Sequence, residues 1–262
     1  MNNININMNM NNMNMNNMNM NNMNMNMNNM NMNNIIKQDS VNDIVVPIMV
    51  IPGIDFLLCK FFGKKTRWFQ LHSAINAIIV FIIWEDIIAL FKNPLQNIED
   101  TNSKIDTYFI LFLHIYHFLI VNDLTTMDYF HHILFVGCGL LPTLLIQTCN
   151  IIRLAWLSTC GLPGVIEYFT LSLVKHNKMS NIKQKKIISY VYNYIRYPIT
   201  IYCPTVTYIA YKENKLIDYN SYIILYINLM LFFNGAFYNK LTVENYIIHK
   251  EKGIPFNPEL GF

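Results

Sequence analysis

Residues 69–91 read FQLHSAINAIIVFIIWEDIIALF, a run of 23 residues in which apolar side chains predominate. A helix that crosses a membrane needs about 20 consecutive, mostly apolar residues. The run therefore predicts a membrane-spanning helix. Six further segments have a similar length and composition, at 44–62, 105–121, 129–149, 151–174, 188–211 and 219–240. The predicted fold class is an all-α, polytopic membrane protein with about seven transmembrane helices.

The overall composition agrees with a membrane protein. Of the 262 residues, 53% are hydrophobic and 13% are charged, whereas a soluble domain carries about 25% charged residues. Residues 1–34 contain only 20 Asn, 12 Met and 2 Ile, and such a tract cannot bury enough apolar surface to fold. We therefore predict a disordered low-complexity tail at 1–40, a transmembrane domain at 41–245 and a cytosolic tail at 246–262.

Charge and cysteine content exclude other classes. The net charge of +3 is small and the basic residues are scattered, which argues against nucleic-acid binding. The five cysteines form no C-x-x-C pair, so neither a zinc site nor a disulfide framework is predicted. No metal ligand set and no tightly bound cofactor are expected.

The distribution of Lys and Arg predicts the orientation in the membrane. With seven spans, the 60–67 loop, the 175–186 loop and the C-terminal tail share one side, and together they carry twelve basic residues; the opposite side carries six. The side richer in basic residues usually faces the cytosol. This predicts a lumenal N-terminus and a cytosolic C-terminus, in the endoplasmic reticulum or another endomembrane.

Several polar residues lie inside the predicted spans, where ionisable groups are costly. At about 1.5 Å per residue, most of them fall in one layer about 4–12 Å from the cytosolic ends. These residues are His72 and Asn76, His114 and His117, His131 and His132, Glu167, Asn193 and Arg196.

A shared depth and shared helix faces predict a polar pocket enclosed by spans two to seven and open toward the cytosolic leaflet. Two simpler interpretations compete with it. His131 and His132 would then lie at the level of the headgroups, and Arg196 would form a structural pair with Glu167. His114 and His117 also suggest a di-iron site, but the His-box spacing of such enzymes is absent.

Four motifs resemble those of the TLC-domain family over about residues 44–245. The segment RWFQLHSAIN (67–76) resembles the second-span motif of the family. HIYH (114–117), Asp123 and DYFHH (128–132) resemble its central signature. GLPG (161–164) with Glu167, and NYIRYP (193–198), resemble motifs of a subgroup.

The resemblance implies a seven-helix membrane protein that acts on or binds membrane lipids. The family includes ceramide synthases, which transfer an acyl group from acyl-CoA to a sphingoid amine, and proteins linked to lipid composition, transport or sensing. In the synthases the His-His pair is implicated in catalysis, and it matches His131 and His132, with Asp128 as the preceding acid. The acidic segment that follows in the synthases is replaced here by GLPG, which argues against N-acylation of sphingoid bases.

Two functions therefore compete. The first is a lipid-binding or lipid-regulating membrane protein, whose partners are membrane lipids held by His72, Asn76, His114, His117, Glu167, Asn193 and Arg196. The second is a lipid N-acyltransferase with acyl-CoA as co-substrate. In that case His131 is the general base, His132 or Asp128 orients it, and Arg196 and Asn193 hold the developing oxyanion.

Overall fold

The computed structural model describes residues 40–98, 103–120, 124–144, 149–216 and 220–252. Most of the predicted tail at 1–40, Asp123 of the signature and the last ten residues lie outside the described residues. Within those ranges the chain forms seven helical stretches and no strand. The all-helical prediction is confirmed for this part of the chain.

The first three helices are regular. Helix α1 is Val41–Phe62, α2 is Arg67–Lys92 and α3 is Ile105–Ile120. Ser40 caps α1 by accepting a hydrogen bond from the Asn42 N–H at 3.3 Å, and α1 ends at Gly63, whose φ of 77° favours glycine. Helix α1 continues through its two prolines, as membrane helices commonly do. The helix is continuous around Asp55.

The next three helices each contain a π-helical segment. Helix α4 consists of Thr126–His131, His132–Leu140 and Leu141–Leu144, and the middle part is π-helical. Helix α5, Asn150–Lys175, has its π segment at Leu157–Gly161. Helix α6 combines Asn181–Val191, the π segment Tyr192–Arg196 and Tyr197–Lys212. Each π turn accommodates one extra residue and shifts the side chains that follow it around the helix.

The last helix, α7, is Ser221–Lys252. It includes the first seven residues of the predicted C-terminal tail, 246–252. Helix α6 likewise begins seven residues before the predicted span at 188. Both extensions are more polar than the spans that they prolong. The spans predicted from hydropathy are therefore shorter than the helices in the structure.

Four helices are long and apolar enough to cross a membrane: Val41–Phe62, Arg67–Lys92, Asn150–Lys175 and Ser221–Glu251. Helix α3 is apolar but shorter, and its 16 residues span only about 24 Å, less than the roughly 30 Å of a hydrocarbon core. Over the described residues, helices α4 and α6 are not among the candidate spans. The structure therefore supports an integral membrane protein with four candidate spans, and seven spans stay a prediction.

Helix α2 forms the centre of the apolar core. Its buried stripe recurs every three or four residues, the spacing of one helix face, and consists of Leu71, Ile75, Ile79, Ile83, Ile87 and Leu90. The stripe packs along α5, with α1 and α3 beside it. Phe81, on another face, is 83% exposed, as expected of a side chain in contact with lipid.

Two turns that join different helix pairs meet at one end of the bundle. The Thr66 hydroxyl and the His176 Nε2 lie 2.8 Å apart, and Ser172 donates to Thr66 at 3.3 Å. The lysine-rich 60–67 and 175–186 segments therefore lie at the same end of the described bundle, as the orientation argument requires. The sequence alone gave no reason to single out His176, although its side chain links these two turns.

The opposite end holds a charged cluster that the sequence interpretation missed. Arg153 of α5 pairs with Asp86 of α2, and its Nε lies 3.7 Å from Asp106 of α3. The orientation argument counted Arg153 among the basic residues of the lumenal side, and its side chain is buried in the structure. Asp86 differs from its neighbour Glu85, which is exposed, because only Asp86 lies on the face toward Arg153.

Candidate functional site

Five imidazoles from three helices meet near the end of the bundle that carries the 60–67 turn. His72 comes from α2, His114 and His117 from α3, and His131 and His132 from α4. The ring centroids of neighbouring members lie between 5.2 and 5.8 Å apart. These five side chains are called the histidine cluster below.

The histidine cluster is enclosed rather than superficial. His72, His114 and His117 are buried, and His131 and His132 are half-buried. Trp68 covers one side, with its ring centroid 3.8 Å from that of His72 and 3.4 Å from that of His117. Tyr168 of α5 covers another side, 4.4 Å from the ring of His72. His131 and His132 therefore lie among protein side chains, and their depth in the membrane stays a prediction.

Hydrogen bonds determine which ring nitrogens donate and which accept in part of the histidine cluster. The Nδ1 of His114 lies 2.7 Å from the carbonyl oxygen of Ile110, which can only accept, so this Nδ1 carries the proton. In a neutral ring the Nε2 of His114 is then an acceptor, and the Nε2 of His131, 3.2 Å away, must donate to it. The Nδ1 of His131 in turn accepts from the hydroxyl of Tyr238 at 3.0 Å.

His132 has the opposite tautomer to His131, with the proton on its Nδ1. Its Nδ1 lies 2.6 Å from the carbonyl oxygen of Asp128 and donates to it. The Nε2 of His132 is therefore a bare acceptor in the neutral ring, and this atom is buried without a hydrogen-bond partner in the structure. Of the two adjacent imidazoles, His132 rather than His131 offers a free basic nitrogen.

The carboxylate of Asp128 has a structural role. It accepts hydrogen bonds from the N–H of Thr125 at 2.8 Å and from the Thr125 hydroxyl at 2.7 Å. The Thr125 hydroxyl in return accepts from the Asp128 N–H at 3.3 Å, which completes a capping box at the start of α4. Asp128 therefore orients His132 through its backbone carbonyl, not through the acid group that we expected to act.

Glu167 and Arg196 are placed near each other but are not a direct pair. Glu167 accepts a hydrogen bond from the Tyr192 hydroxyl at 2.5 Å. Arg196 donates to the Oδ1 of Asn234 at 2.6 Å, and its guanidinium carbon lies 4.5 Å from the ring centroid of Tyr192. Tyr192 thus stands between the two charges, and the predicted direct couple is replaced by an Arg–Tyr–Glu arrangement.

Helix α7 joins the two groups of polar residues. The Tyr238 ring centroid lies 5.1 Å from the guanidinium carbon of Arg196, while the Tyr238 hydroxyl binds His131. Sequence reasoning missed Tyr238 and Asn234 because an isolated Tyr or Asn in an apolar span carries no charge. The two residues are four positions apart on span seven and so share one helix face, which is the sequence signal that could have found them.

The remaining predicted residues fall on the edge of this site. Asn76 is buried one turn after His72, and its Nδ2 is without a partner. Asn193 is half-buried on the π segment that ends at Arg196. It is not among the described side chains that contact the histidine cluster.

The site contains buried polar atoms that protein groups leave unpaired. They are the Nε2 atoms of His72 and His132, the Nδ2 of Asn76 and the Nε of Arg196. Unpaired buried groups are costly, and these offer both donors and an acceptor. Such a set suits a polar ligand with hydroxyl, amine or carbonyl groups.

Within the described ranges, no three His, Cys, Asp or Glu side chains are disposed as ligands of one ion. In the histidine cluster, the Nε2 atoms of His114 and His131 face each other at hydrogen-bond distance.

Comparison of the chain with protein-family models, with curated proteins and with solved structures found no match. The resemblance to TLC-domain proteins therefore rests on the quoted motifs alone.

Proposed function

We propose that the protein is a TLC-like integral membrane protein that binds the polar part of a membrane lipid at the histidine cluster, Tyr238 and Arg196. The observation that supports this proposal is the convergence of five imidazoles from three helices inside the helical bundle. Intramembrane polar clusters are costly and are kept for function.

The unpaired polar atoms at the histidine cluster support a lipid headgroup as the ligand. The free Nε–H of Arg196 and the Nδ2 of Asn76 donate, and the free Nε2 of His132 accepts. A lipid with hydroxyl or amine groups beside a carbonyl or phosphate satisfies both kinds of atom. Its acyl chains would lie against the apolar helix faces. Access from the cytosolic leaflet of an endomembrane, with the N-terminus lumenal, is part of the proposal.

Mass spectrometry of the purified protein tests the proposal. The wild-type protein should carry co-purified lipid through mild detergent, and His132→Ala and His72→Ala should each lower the bound fraction severalfold. His249→Ala is the matched control, because His249 lies near the end of α7 and bonds only the Asn245 carbonyl among the described contacts. Equal lipid retention by all four proteins would refute a headgroup site in the histidine cluster.

One observation favours acyl transfer from acyl-CoA as a second candidate. The free Nε2 of His132 is positioned to accept the proton of an amine or hydroxyl as that group attacks a thioester carbonyl, with the thiol of CoA as the leaving group. The role of general base then belongs to His132, whereas His131 donates within the hydrogen-bonded chain.

Incubation with acyl-CoA and long-chain bases tests the second candidate. If transfer occurs, His132→Ala should lower the rate by about 100-fold or more. Product formation that survives His132→Ala, in a protein that still folds, would exclude the assignment. Absence of product with retained lipid would leave lipid binding as the function.

A further inference from the structure

A second site lies on the far side of Trp68 from the histidine cluster. A cavity of about 220 Å³ is lined by the 64–67 turn residues, the start of α2 and the end of α3. Its lining includes three basic side chains and several aromatic and aliphatic ones, among them Lys64, Lys65 and Arg67 and Trp68, Tyr116 and Ile120. None of the residues that line it is acidic.

The charge balance of this cavity is positive. Arg67 is neutralised by the buried Asp55, which it contacts through two guanidinium nitrogens. Tyr116 also donates to Asp55, at 2.7 Å. Lys64 and Lys65 are exposed on the same turn, and the cavity supplies no carboxylate to balance them.

The Asp55–Arg67–Tyr116 cluster holds the cavity in shape. It joins α1, α2 and α3 at the level where the turn enters α2, and two of its members, Arg67 and Tyr116, line the cavity. No side chain caps α2 at Thr66, so the first turn of this helix has backbone N–H groups without a side-chain acceptor. The lining of the cavity thus combines cationic side chains with aromatic and aliphatic ones.

We propose that this cavity binds a phosphate group of an amphipathic ligand, with Lys64 and Lys65 as its charge partners and the Trp68–Ile120 wall against the apolar part. Phosphate is the anion that matches paired cations and backbone N–H groups. The phosphate comes either from an anionic phospholipid of the surrounding leaflet or from a soluble phosphate-bearing carrier such as CoA.

The proposal goes beyond the headgroup function of the histidine cluster and does not require it. Trp68 lines the cavity and packs on His72 and His117, so the two sites share one wall. A single lipid molecule bridging both sites is not assumed. Variants of the two lysines leave the histidine cluster intact, and therefore each proposal fails or stands separately.

Binding to nanodiscs and to soluble probes tests the site. The charge variant is Lys64→Gln/Lys65→Gln, and its matched control is Lys212→Gln/Lys215→Gln, two exposed lysines at the other end of α6. We expect the charge variant to lose roughly tenfold in affinity for phosphatidylglycerol over phosphatidylcholine, or for CoA, while the control changes less than twofold. The same loss in both variants would overturn the proposal.

A third variant separates a cavity from a merely charged surface. Ile120→Trp fills the cavity without a change of charge and should weaken binding as the charge variant does. Unchanged binding by Ile120→Trp would show that the lysines act only as surface charge, and the proposal would then be wrong. Binding of phosphatidylglycerol alone assigns the site to a phospholipid, and binding of CoA assigns it to a soluble carrier. Binding of neither probe refutes it.

Discussion

Tyr238, His131 and His114 form a hydrogen-bonded chain that runs from α7 through α4 to α3. Its direction follows from one acceptor, the Ile110 carbonyl, because each neutral imidazole carries a single proton. The donor at one end of the chain, the Tyr238 hydroxyl, lies on α7, whereas the acceptor at the other end, the Ile110 carbonyl, lies on α3. The protonation pattern of the site is a property of three helices together.

The chain predicts a specific effect of Tyr238→Phe. The substitution removes the hydroxyl that donates to the Nδ1 of His131 and leaves the bond of His132 to the Asp128 carbonyl in place. In protein labelled with ¹⁵N-histidine, the Nδ1 resonance of His131 should shift while those of His132 stay unchanged.

Tyr226→Phe is the matched control for this experiment. Tyr226 lies on the same helix and its hydroxyl donates to the Cys138 carbonyl at 2.8 Å, outside the histidine cluster. A His131 spectrum unaffected by Tyr238→Phe, or equally affected by Tyr226→Phe, would contradict the assigned tautomers.

The carboxylate of Asp55 on α1 accepts hydrogen bonds from Arg67 of α2 and Tyr116 of α3, and so it joins three helices. Asp55→Asn weakens its two bonds with Arg67 and leaves the guanidinium without its counter-charge. A loss of about 1–3 kcal/mol is typical of such a change. The lower part of that range is expected here, because the Arg67 side chain is 33% exposed and water screens the charge.

Thermal unfolding in detergent measures this loss. The comparison variant is Glu244→Gln, which removes an exposed ion pair with Lys240 at 3.8 Å and should change stability by less than about 0.5 kcal/mol. An Asp55→Asn melting temperature equal to that of Glu244→Gln would show that the α1–α2–α3 junction does not depend on this carboxylate.

At the scale of elements, the closest approach of α6 and α7 depends on one glycine. A Cβ atom built at Gly235 would lie 2.4 Å from the Cγ2 and 2.7 Å from the Oγ1 of Thr200. Thr200 is buried and β-branched, so it has little room to move. Gly235 therefore keeps α7 close enough for Asn234 and Tyr238 to reach the site.

Gly235→Ala should destabilise the protein by about 1–3 kcal/mol, the usual cost of overpacking, and should also lower lipid retention by displacing Tyr238. Gly53→Ala is the control, because a Cβ there meets no atom within 4 Å and alanine is the better helix former. Melting temperatures that are equal for the two variants would disprove the close contact.

The elements also show where sequence reasoning works and where it stops. The positions of α1, α2 and α5 followed from apolar run length, because a helix in a bilayer satisfies its own backbone and needs only length. The shared helix faces predicted from the sequence assumed 100° per residue. The π segment Tyr192–Arg196 changes the phase of span six, where Arg196 is buried and Asn193 is half-buried.

At the scale of the whole molecule, the described helices place the two lysine-rich turns together and the charged Arg153–Asp86 pair at the far end. The orientation rule then predicts that these turns face the cytosol. In a cysteine-free background, Lys178→Cys should react with an impermeant maleimide in sealed microsomes.

Lys215→Cys, exposed in the turn at the other end, should react only after the microsomes are permeabilised. Reaction of both positions without permeabilisation would rule out an odd number of crossings between them. Reaction of Lys215→Cys alone would invert the proposed orientation.

The sequence by itself determined the height of each polar group along its helix, because rise per residue converts position in the chain into depth. It thereby predicted the five imidazoles, Asn76, Glu167, Asn193 and Arg196 as one layer, and the structure brings the imidazoles into contact. Only the tertiary structure decided the partners: Tyr192 for Glu167, Asn234 for Arg196, Tyr238 for His131 and the helix cap for Asp128. Partners depend on the rotation of each helix about its axis, which long-range packing and π turns set and which no local pattern encodes.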